Sequence, residues 1–335
     1  MRNFQIPFLI IVILISACQQ APKDPAKALP KYELSWEKFD SAFFAMDTLH
    51  MASSVVALNQ RYPQFGPDFF SKILMLNSNK DTVMIKAFYR AYLPVYQEAV
   101  KARAMQLSFN SFQEAFKRIH YYFPKYPLTH QLISFIGPLE SYGNIVTKDA
   151  LALGLQMYMG AASQWYFSER IQTIYPSFVS KRFSHEYIVV NSVQNIINDI
   201  VPAPKLNGTL LDELIEAGKR QYVINACMPK APDSVRFGYT PLQLNALRQE
   251  EATIWNYILH NKITYSIQPN EIRSIIQESR FSEIFGEQLP GNVGKFIGYR
   301  IVEKWMNQKQ QKDLSLEDLL NTPSEKIFAG SGYQP

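Results

Sequence analysis

Apolar side chains recur every three or four residues through most of the chain from Trp36 onward, which is the spacing of a helix that buries one face. Two short stretches depart from it. Residues 132–136 and 143–146 are β-branched or aromatic and are bounded by proline and glycine, so they predict a small sheet or hairpin. The sequence therefore predicts a mostly α fold with a small β-sheet, of the α+β class.

The helical spacing also predicts individual elements. A first helix is predicted over 36–46 with Ser35 as its N-cap, and a helix over 111–122 is expected to turn Arg118 to solvent. Pro94 predicts a break in the helix that contains it. Further helices are predicted over 69–77, 150–160, 187–200, 209–224, 241–262, 272–279 and 295–307.

The N-terminus predicts a bacterial lipoprotein signal. Arg2 gives a short positive start, residues 8–15 form an apolar run, and the tripeptide Ile-Ser-Ala precedes Cys18. The run is too short for a membrane span, which needs about 20 apolar residues. An aliphatic residue and two small ones before a cysteine are typical of lipoprotein cleavage, in which the thiol takes a diacylglyceryl group. The alternative is an ordinary secretory signal with a chance cysteine.

Cleavage at this site divides the chain into a signal peptide over 1–17, a lipidated tether over 18–31 and a body over 32–335. The tether contains three prolines among small and charged residues and is predicted to be disordered. The body is predicted to be a single, mostly helical domain, lipid-anchored in the cell envelope and facing the periplasm or exterior. With Cys18 acylated, Cys227 is the only remaining thiol, so no intrachain disulfide is expected.

The charge balance argues against nucleic acid as a partner. The formal net charge is +5, and removal of the signal peptide takes away only Arg2. No cluster of lysine and arginine, and no basic stripe interleaved with aromatic residues, accompanies this mild excess. We therefore expect no nucleic-acid binding.

The dipeptide His185-Glu186 carries the strongest chemical signal. A zinc protease with glutamate as its third ligand needs H-E-x-x-H on one helix and a glutamate on the next. Glu216 lies on the next predicted helix, but Val189 stands where the second histidine belongs. Because a valine offers only methyl groups, zinc would keep at most His185 and Glu216 as ligands, with Glu186 as the base.

The sequence leaves three interpretations open: a chance dipeptide at a helix start, where Glu186 suits the helix dipole, a vestigial site, or a live metal site. A shifted register that places Asn191 and Asn195 at the histidine positions is no better, because asparagine is a poor zinc ligand. Glu216 also has a simpler expected role. At i,i+4 spacing it could pair with Arg220 in solvent.

Three other motifs have ordinary explanations. Residues 291–295 lack the spacing and the hydroxyl residue of a phosphate loop, and they predict a tight turn that opens a helix. Residues 330–332 lack the frame of a nucleophile elbow. Glu250 and Glu251 diverge by about 100° on a helix, so a solvated face is expected there.

Several stretches recur in a characteristic order from about Tyr32 to the C-terminus: RIHYYFP at 118–124, FGYT at 237–240, EEATIW at 250–255, TYS at 264–266, PGNVGKFIG at 290–298 and KIFAGS at 326–331. In these the chain resembles the gliding-motility lipoprotein B (GldB-like) family of gliding Bacteroidetes. That family is similar to predicted gluzincin-type zinc proteases and generally lacks the intact motif. The resemblance therefore implies a degenerate gluzincin-like metalloprotease architecture with Glu216 as a relic.

The resemblance further implies a component of gliding motility with a link to the associated secretion machinery. The leading hypothesis is a membrane-anchored, non-enzymatic scaffold or binding subunit without a cofactor, held by lipid on Cys18. A degenerate protease-like cleft would bind protein partners of the gliding or secretion apparatus. The alternative is a zinc-dependent peptidase or cell-wall hydrolase, in which Glu186 is catalytic and His185 and Glu216 bind the metal.

Overall fold

The structure is a computed structural model that describes residues 29–77, 81–202, 208–311 and 313–335. Helices make up most of the described chain and surround one four-stranded sheet, which confirms the predicted α+β class. The strands are β1 Ser35–Lys38, β2 Gln131–Phe135, β3 Asn144–Val146 and β4 Leu151–Gly154. The helices are α1 Phe39–Phe44, α2 Met51–Arg61, α3 Phe65–Asp68, α4 Thr82–Ala102, α5 Ala104–Tyr122, α6 Glu169–Ile174, α7 Ser177–Ser180, α8 His185–Ile200, α9 Leu210–Cys227, α10 Asp233–Phe237, α11 Pro241–Gln249, α12 Glu251–His260, α13 Pro269–Ile276, α14 Val293–Met306, α15 Leu316–Asn321 and α16 Ser324–Ser331.

The sheet has the strand order β1-β2-β4-β3, with β1, β2 and β4 parallel and β3 antiparallel to β4. The two middle strands, β2 and β4, are buried along almost their whole length. Parallel strands that are covered on both faces have nearly continuous apolar sequences, as β2 and β4 do here. The strands predicted over 132–136 and 143–146 are confirmed as β2 and β3.

The first predicted helix, over 36–46, is wrong in its first half. Its N-terminal residues form β1, and α1 begins only at Phe39. Ser35 opens the strand and is not an N-cap. Trp36 pairs along β2, and its Nε1 donates to Ser134 Oγ at 2.9 Å. Because β2 supplies hydrogen bonds that a helix would otherwise make internally, pairing overrides the helical spacing.

The helix predicted over 150–160 is wrong. The segment contains β4, which pairs with strands on both sides, and then a 3₁₀ turn over Leu155–Met157. The segment 241–262 forms α11 and α12, which meet at Glu250. The segment predicted as a helix over 69–77 opens with a π-helical turn, Phe69–Ile73. Tertiary pairing and packing therefore decide details that periodicity leaves undetermined.

Helix α4 continues through Pro94, so the predicted break is wrong. A proline in a helix interior removes one backbone hydrogen bond and costs about 3 kcal/mol. The two halves of α4 bury side chains on the same core, Ile85 before the proline and Val95 after it. This shared burial offsets the cost and keeps one helix.

Helices α5, α8 and α9 carry the predicted site residues. Helices α5 and α8 run parallel: Ser108 Oγ donates to the His185 carbonyl (3.0 Å) near their N-terminal ends, and the Tyr126 hydroxyl donates to Asp199 (2.7 Å) near their C-terminal ends. Helix α9 runs in the opposite direction, so Cys227 at its C-terminus lies on the same cavity as His185. The helices predicted over 111–122, 187–200 and 209–224 are confirmed apart from their ends.

Glycines bring α9 and α14 into direct backbone contact. A Cβ atom at Gly218 would lie 2.2 Å from the carbonyl oxygen of Gly298, and one at Gly298 would lie 1.7 Å from that of Leu214. No larger residue fits at either position unless the helices separate. The crossing therefore fixes the position of α9, which borders both the cavity at His185 and the hollow that contains Glu216.

A continuous cluster of buried apolar residues extends from Tyr32 to Tyr333. Among the helices of the described ranges, none is both long and apolar enough to cross a bilayer. The predicted signal peptide over 1–17 and the lipid attachment residue Cys18 lie outside the described residues, as does the tether up to residue 28.

Candidate functional site

The two matching residues of the zinc motif lie in the first turn of α8. Helix α8 begins at His185, which is half-buried, and Glu186 is exposed. The Ser184 hydroxyl donates to the Glu186 carboxylate at 3.4 Å. A carboxylate in the first turn also interacts favourably with the positive end of the helix dipole. Glu186 thus has a structural role in starting α8.

His185 and Glu186 line a cavity of about 410 Å³ between α5, the start of α8 and the segment after α9, which we call the α5–α8 cleft. This volume lies in the range of small-ligand pockets, about 300–1,000 Å³. The other lining residues are Leu107, Ser108, Asn110, Ser111, Glu114, Ala115, Arg118, Val189, Cys227, Met228, Pro229, Lys230, Ala231, Pro232 and Val235.

Val189, where the zinc motif needs its second histidine, forms part of the floor of this cleft. It is only 2% exposed, and Val193 and Ile196 continue the same stripe into the core. At this position the cleft therefore offers an occupant methyl groups in place of the second imidazole nitrogen of the zinc motif.

The cleft also contains a buried charge that the sequence places in solvent. Arg118 is 4% exposed, so its prediction as an outer-face residue is wrong. It follows the buried Ala115 by three residues and therefore lies at the edge of the apolar stripe of α5. At such an edge position, burial depends on the chain that covers α5, which the sequence spacing does not show.

Cys227, the cysteine that the structure describes as free, lines the same cleft but is almost fully buried. Burial raises the pKa of its thiol to about 12, and the nearby charge of Arg118 offsets only part of this rise. A thiol acts as a nucleophile through its thiolate form. At neutral pH Cys227 is therefore protonated and behaves as an apolar core residue.

Charged side chains of both signs form the rim of the cleft. The Glu114 carboxylate lies 3.6 Å from Lys117 Nζ and 3.5 Å from Lys230 Nζ. Lys230 is mostly exposed and Glu114 about half so, which makes the pair between them a weak surface pair of about 0–1 kcal/mol. The cleft thus combines a largely apolar floor with a mixed-charge rim.

Glu216 lies in a different hollow, of about 460 Å³, which we call the Glu216 hollow; its other lining residues are Val201, Pro202, Gly208, Asp212, Glu213, Lys219, Leu320, Asn321, Thr322, Pro323 and Ser324. The α5–α8 cleft meets α9 at Cys227, eleven residues further on, which corresponds to about 16 Å along the helix axis. The structure therefore brings His185 and Glu186 together but does not bring Glu216 to them.

Glu216 makes a buried ion pair and not the predicted solvent pair with Arg220. Its carboxylate accepts from Lys219 Nζ at 2.5 Å, and Lys219, 2% exposed, also donates to the Leu320 carbonyl. Arg220 Nη1 instead donates to Asn198 Oδ1 and to the Val201 carbonyl. Lys219 and Arg220 are both within reach of Glu216 on the helix. Lys219 forms the pair because its ammonium group also bonds the Leu320 carbonyl of the chain packed against α9.

The asparagines of the shifted register hold α8 to the sheet. Asn191 Nδ2 donates to the Tyr158 hydroxyl, which donates to Asn144 Oδ1 on β3, at 3.2 and 2.9 Å. Asn195 Nδ2 donates to the Asn144 carbonyl at 2.9 Å. Asn144 completes the network by donating to Ser192 Oγ. These amides have a structural role, which the sequence did not reveal.

Residues 291–295 form the predicted turn that opens a helix. Asn292 adopts a left-handed conformation (φ 56°) and its side chain caps α14 by accepting from the Lys295 N–H. Lys295 Nζ donates to the Phe237 carbonyl at 2.6 Å, and burial lowers the pKa of Lys295 to about 8. Beside it, Arg182 forms a bidentate pair with Glu278. The basic groups are therefore already engaged within the protein.

The solvated face predicted for Glu250 and Glu251 is wrong for Glu251. Its carboxylate accepts from Arg300 Nε at 2.9 Å and from the Tyr333 hydroxyl at 2.8 Å. The network ties the C-terminal residues to α12 and α14. Residues 330–332 end α16, with Gly332 as a left-handed C-cap, so they belong to a packed helix.

Across the described ranges, no group of three or more histidine, cysteine, aspartate and glutamate side chains is arranged to hold a metal ion. His185 and Glu186 are the acid–base residues of the α5–α8 cleft that sequence reasoning identified, joined there by Glu114. What the cleft offers chemically is an apolar surface with hydrogen-bonding and charged groups at its border.

A profile of the family described as Gliding motility protein GldB matches residues 20–335 of the chain. The chain belongs to this family. Membership implies a role in gliding motility and confirms that part of the resemblance seen in the sequence. No curated protein and no solved structure matches the chain. The further likeness to gluzincin-type proteases stays a prediction.

Proposed function

We propose that the protein acts in gliding motility as a lipid-anchored, non-enzymatic binding subunit whose α5–α8 cleft binds a segment of a partner protein. The observation that carries the proposal is the floor of the cleft, where Val189 stands in place of a metal-binding imidazole. Family membership supports the process, and the family is not a known enzyme family. The family's name, which suggests a lipoprotein, supports the anchor at Cys18.

The side chains of the cleft support binding better than hydrolysis. A catalytic zinc site needs three protein ligands and an open position for water. Near His185 the cleft supplies Val189, and Glu216 is engaged with Lys219 in another hollow. Without a metal, Glu186 has no activated water from which to take a proton. Cys227 is protonated and buried, so it does not supply a nucleophile.

The same groups suit a protein segment. Interface centres are enriched in apolar contact, and their borders are polar and accessible to solvent. Here Ala115, Val189 and Val235 line the interior, while Glu114 and Lys230 border it. A partner segment with one or two apolar side chains flanked by charges would match this arrangement.

The decisive experiment is complementation of a deletion strain with cleft variants, read out as colony spreading and as partner recovery with the intact lipidated protein. Leu107→Asp places a charge at a lining position that is 54% exposed. We expect it to reduce both readouts while the protein stays folded and abundant. Leu259→Asp, at a comparably exposed position (47%) outside the cleft lining, is the matched control and should behave like wild type.

Two further variants separate binding from hydrolysis. Glu186→Gln and His185→Ala should retain spreading under the binding proposal, because neither residue performs a chemical step. Cys18→Ala should lose spreading, because the body is released from the membrane. Stoichiometric zinc in the purified protein that is lost in His185→Ala, together with loss of spreading in Glu186→Gln, would establish the hydrolase instead.

A further inference from the structure

The three site helices give the molecule two distinct ends. The cleft end carries the N-terminal ends of α5 and α8 and the C-terminus of α9, and it holds the α5–α8 cleft. The other end carries the C-terminal ends of α5 and α8, where Tyr126 bonds Asp199, and the start of α9. His185 and Asp199 are fourteen residues apart on α8, which separates the ends by about 21 Å.

The N-terminal chain leaves the body at the second end, which we therefore call the anchor end. The Tyr32 hydroxyl donates to the Leu128 carbonyl at 2.9 Å. The Tyr32 ring stacks on His130, with centroids 4.6 Å apart, and meets His120 at 5.6 Å. His120 lies in the last turn of α5. These contacts fix the point at which the chain that leads to Cys18 leaves the folded body.

Exposed aromatic and aliphatic side chains also lie at this end of the helices. Tyr121, next to His120, is 42% exposed. The N–H groups of Leu210 and Leu211, at the start of α9, donate to the carbonyls of Ser266 and Thr264. This places the exposed Tyr265 (60%) and Ile267 (67%) at the same end of the helices.

Charged groups at the anchor end include both signs. Lys125 and Asp199 are both exposed there, and the Tyr126 hydroxyl bonds the Asp199 carboxylate. A surface of tyrosines, an isoleucine and balanced charge differs from a strongly basic lipid-binding patch. It matches the lipid–water interface, where a tyrosine places its ring among apolar groups and its hydroxyl in water.

We propose that the anchor end rests on the headgroup region of the membrane and that the α5–α8 cleft faces away from it. The inference deepens the proposed function and depends on lipid attachment at Cys18. The fourteen residues from Cys18 to Lys31 reach at most about 50 Å when fully extended. Attachment therefore keeps the body within this distance of the bilayer, and contact through Tyr121, Tyr265 and Ile267 selects the anchor end.

This orientation gives the cleft access to partners on the exported side. With the anchor end on the lipid, the part of the cleft formed by His185 and Glu186 stands about 21 Å further from the surface than Asp199 does. A partner segment can then enter without displacing lipid. Binding through tyrosines also predicts that the orientation is insensitive to salt, because screening weakens charge attraction and leaves apolar burial unchanged.

The test uses the full lipidated chain in phosphatidylcholine vesicles that contain lipids with a nitroxide on the headgroup. Single cysteines with a fluorescent label are introduced by Lys125→Cys and Gln268→Cys, exposed positions at the anchor end that leave the three contact side chains in place. The matched controls at the cleft rim are Ser111→Cys and Lys230→Cys, both exposed positions. Cys227 is buried and should stay unlabelled in the folded protein.

We expect several-fold stronger quenching at the two anchor-end labels than at the two cleft labels, unchanged in high salt. Equal quenching at all four positions in attached protein would overturn the orientation and leave anchoring intact. Attached protein without quenching at either end would overturn the lipid contact. Protein with an intact Cys18 that does not attach, like Cys18→Ala, would overturn the anchor and this inference with it.

Discussion

The α5–α8 cleft and the Glu216 hollow both meet α9, yet their charged groups are used differently. In the cleft, Glu186 is exposed, while Val189 closes the floor. In the hollow, Glu216 is committed to Lys219, whose buried ammonium group also bonds the Leu320 carbonyl. Charges already paired inside the fold stabilise it but are unavailable to a ligand. Residues that would form one metal site if brought together therefore have separate roles here.

Both regions depend on the position of α9, and a substitution at the α9–α14 crossing can disturb that position. Gly298→Ala places a methyl group 1.7 Å from the Leu214 carbonyl oxygen, which is backbone and cannot rotate away. We expect a loss of more than about 4 kcal/mol of stability, or failure to fold. Urea unfolding followed by circular dichroism measures it. Gly332→Ala, where no atom lies within 4 Å of the added methyl, is a control for glycine replacement, with its strained φ of 54° giving a smaller loss.

The second prediction tests whether Glu216 is a structural residue. Glu216→Ala leaves the ammonium group of Lys219 buried without its carboxylate, and we expect a loss of about 3 kcal/mol in the free energy of unfolding. The double variant Glu216→Ala/Lys219→Met removes both charges and should recover most of this loss. If Glu216→Ala were instead neutral for stability while zinc content or activity fell, the hollow would be the functional region.

The third prediction concerns the missing imidazole. Val189→His restores the spacing of two histidines on α8, and it places a polar ring in an apolar floor. We expect a loss of about 1–3 kcal/mol. Zinc should then raise the unfolding midpoint of the variant but not of wild type, because two histidines on one helix face can share a metal. Val189→Ala is the control for lost packing. Peptidase activity in Val189→His that Glu216→Ala abolishes would show that the two regions can form one site.

The sequence predicted α5, α8 and α9 because each buries a regular apolar stripe against its neighbours. It failed at β1, where Trp36 and Phe39 also suit a helix, because pairing with β2 nearly a hundred residues later decides the conformation. Local periodicity carries no information about such distant pairing. The same limit explains Arg118, whose burial depends on the chain that covers α5.

Within the candidate site, the sequence identified His185 and Glu186 and the absence of a second histidine, since these follow from residue identity and helical register. It did not identify the partner of Glu216. Lys219 and Arg220 stand three and four residues later, so both are within reach on a helix. The Leu320 carbonyl above α9 favours the lysine, and it belongs to α15, about a hundred residues further along the chain.

The smallest effect is expected at the residue that would be catalytic in the alternative function. Glu186→Gln removes an exposed carboxylate from the first turn of α8, so the only expected loss is its interaction with the helix dipole, about 0.3–1 kcal/mol, measured by urea unfolding.

Glu213→Gln, in the first turn of α9, is the comparison at the Glu216 hollow. Burial and the neighbouring carboxylates Asp212 and Glu216 raise the pKa of Glu213. Its removal should therefore be neutral or stabilising at neutral pH, whereas that of Glu186 should be slightly destabilising. A large loss of gliding in a fully stable Glu186→Gln protein would contradict the binding role and place chemistry in the cleft.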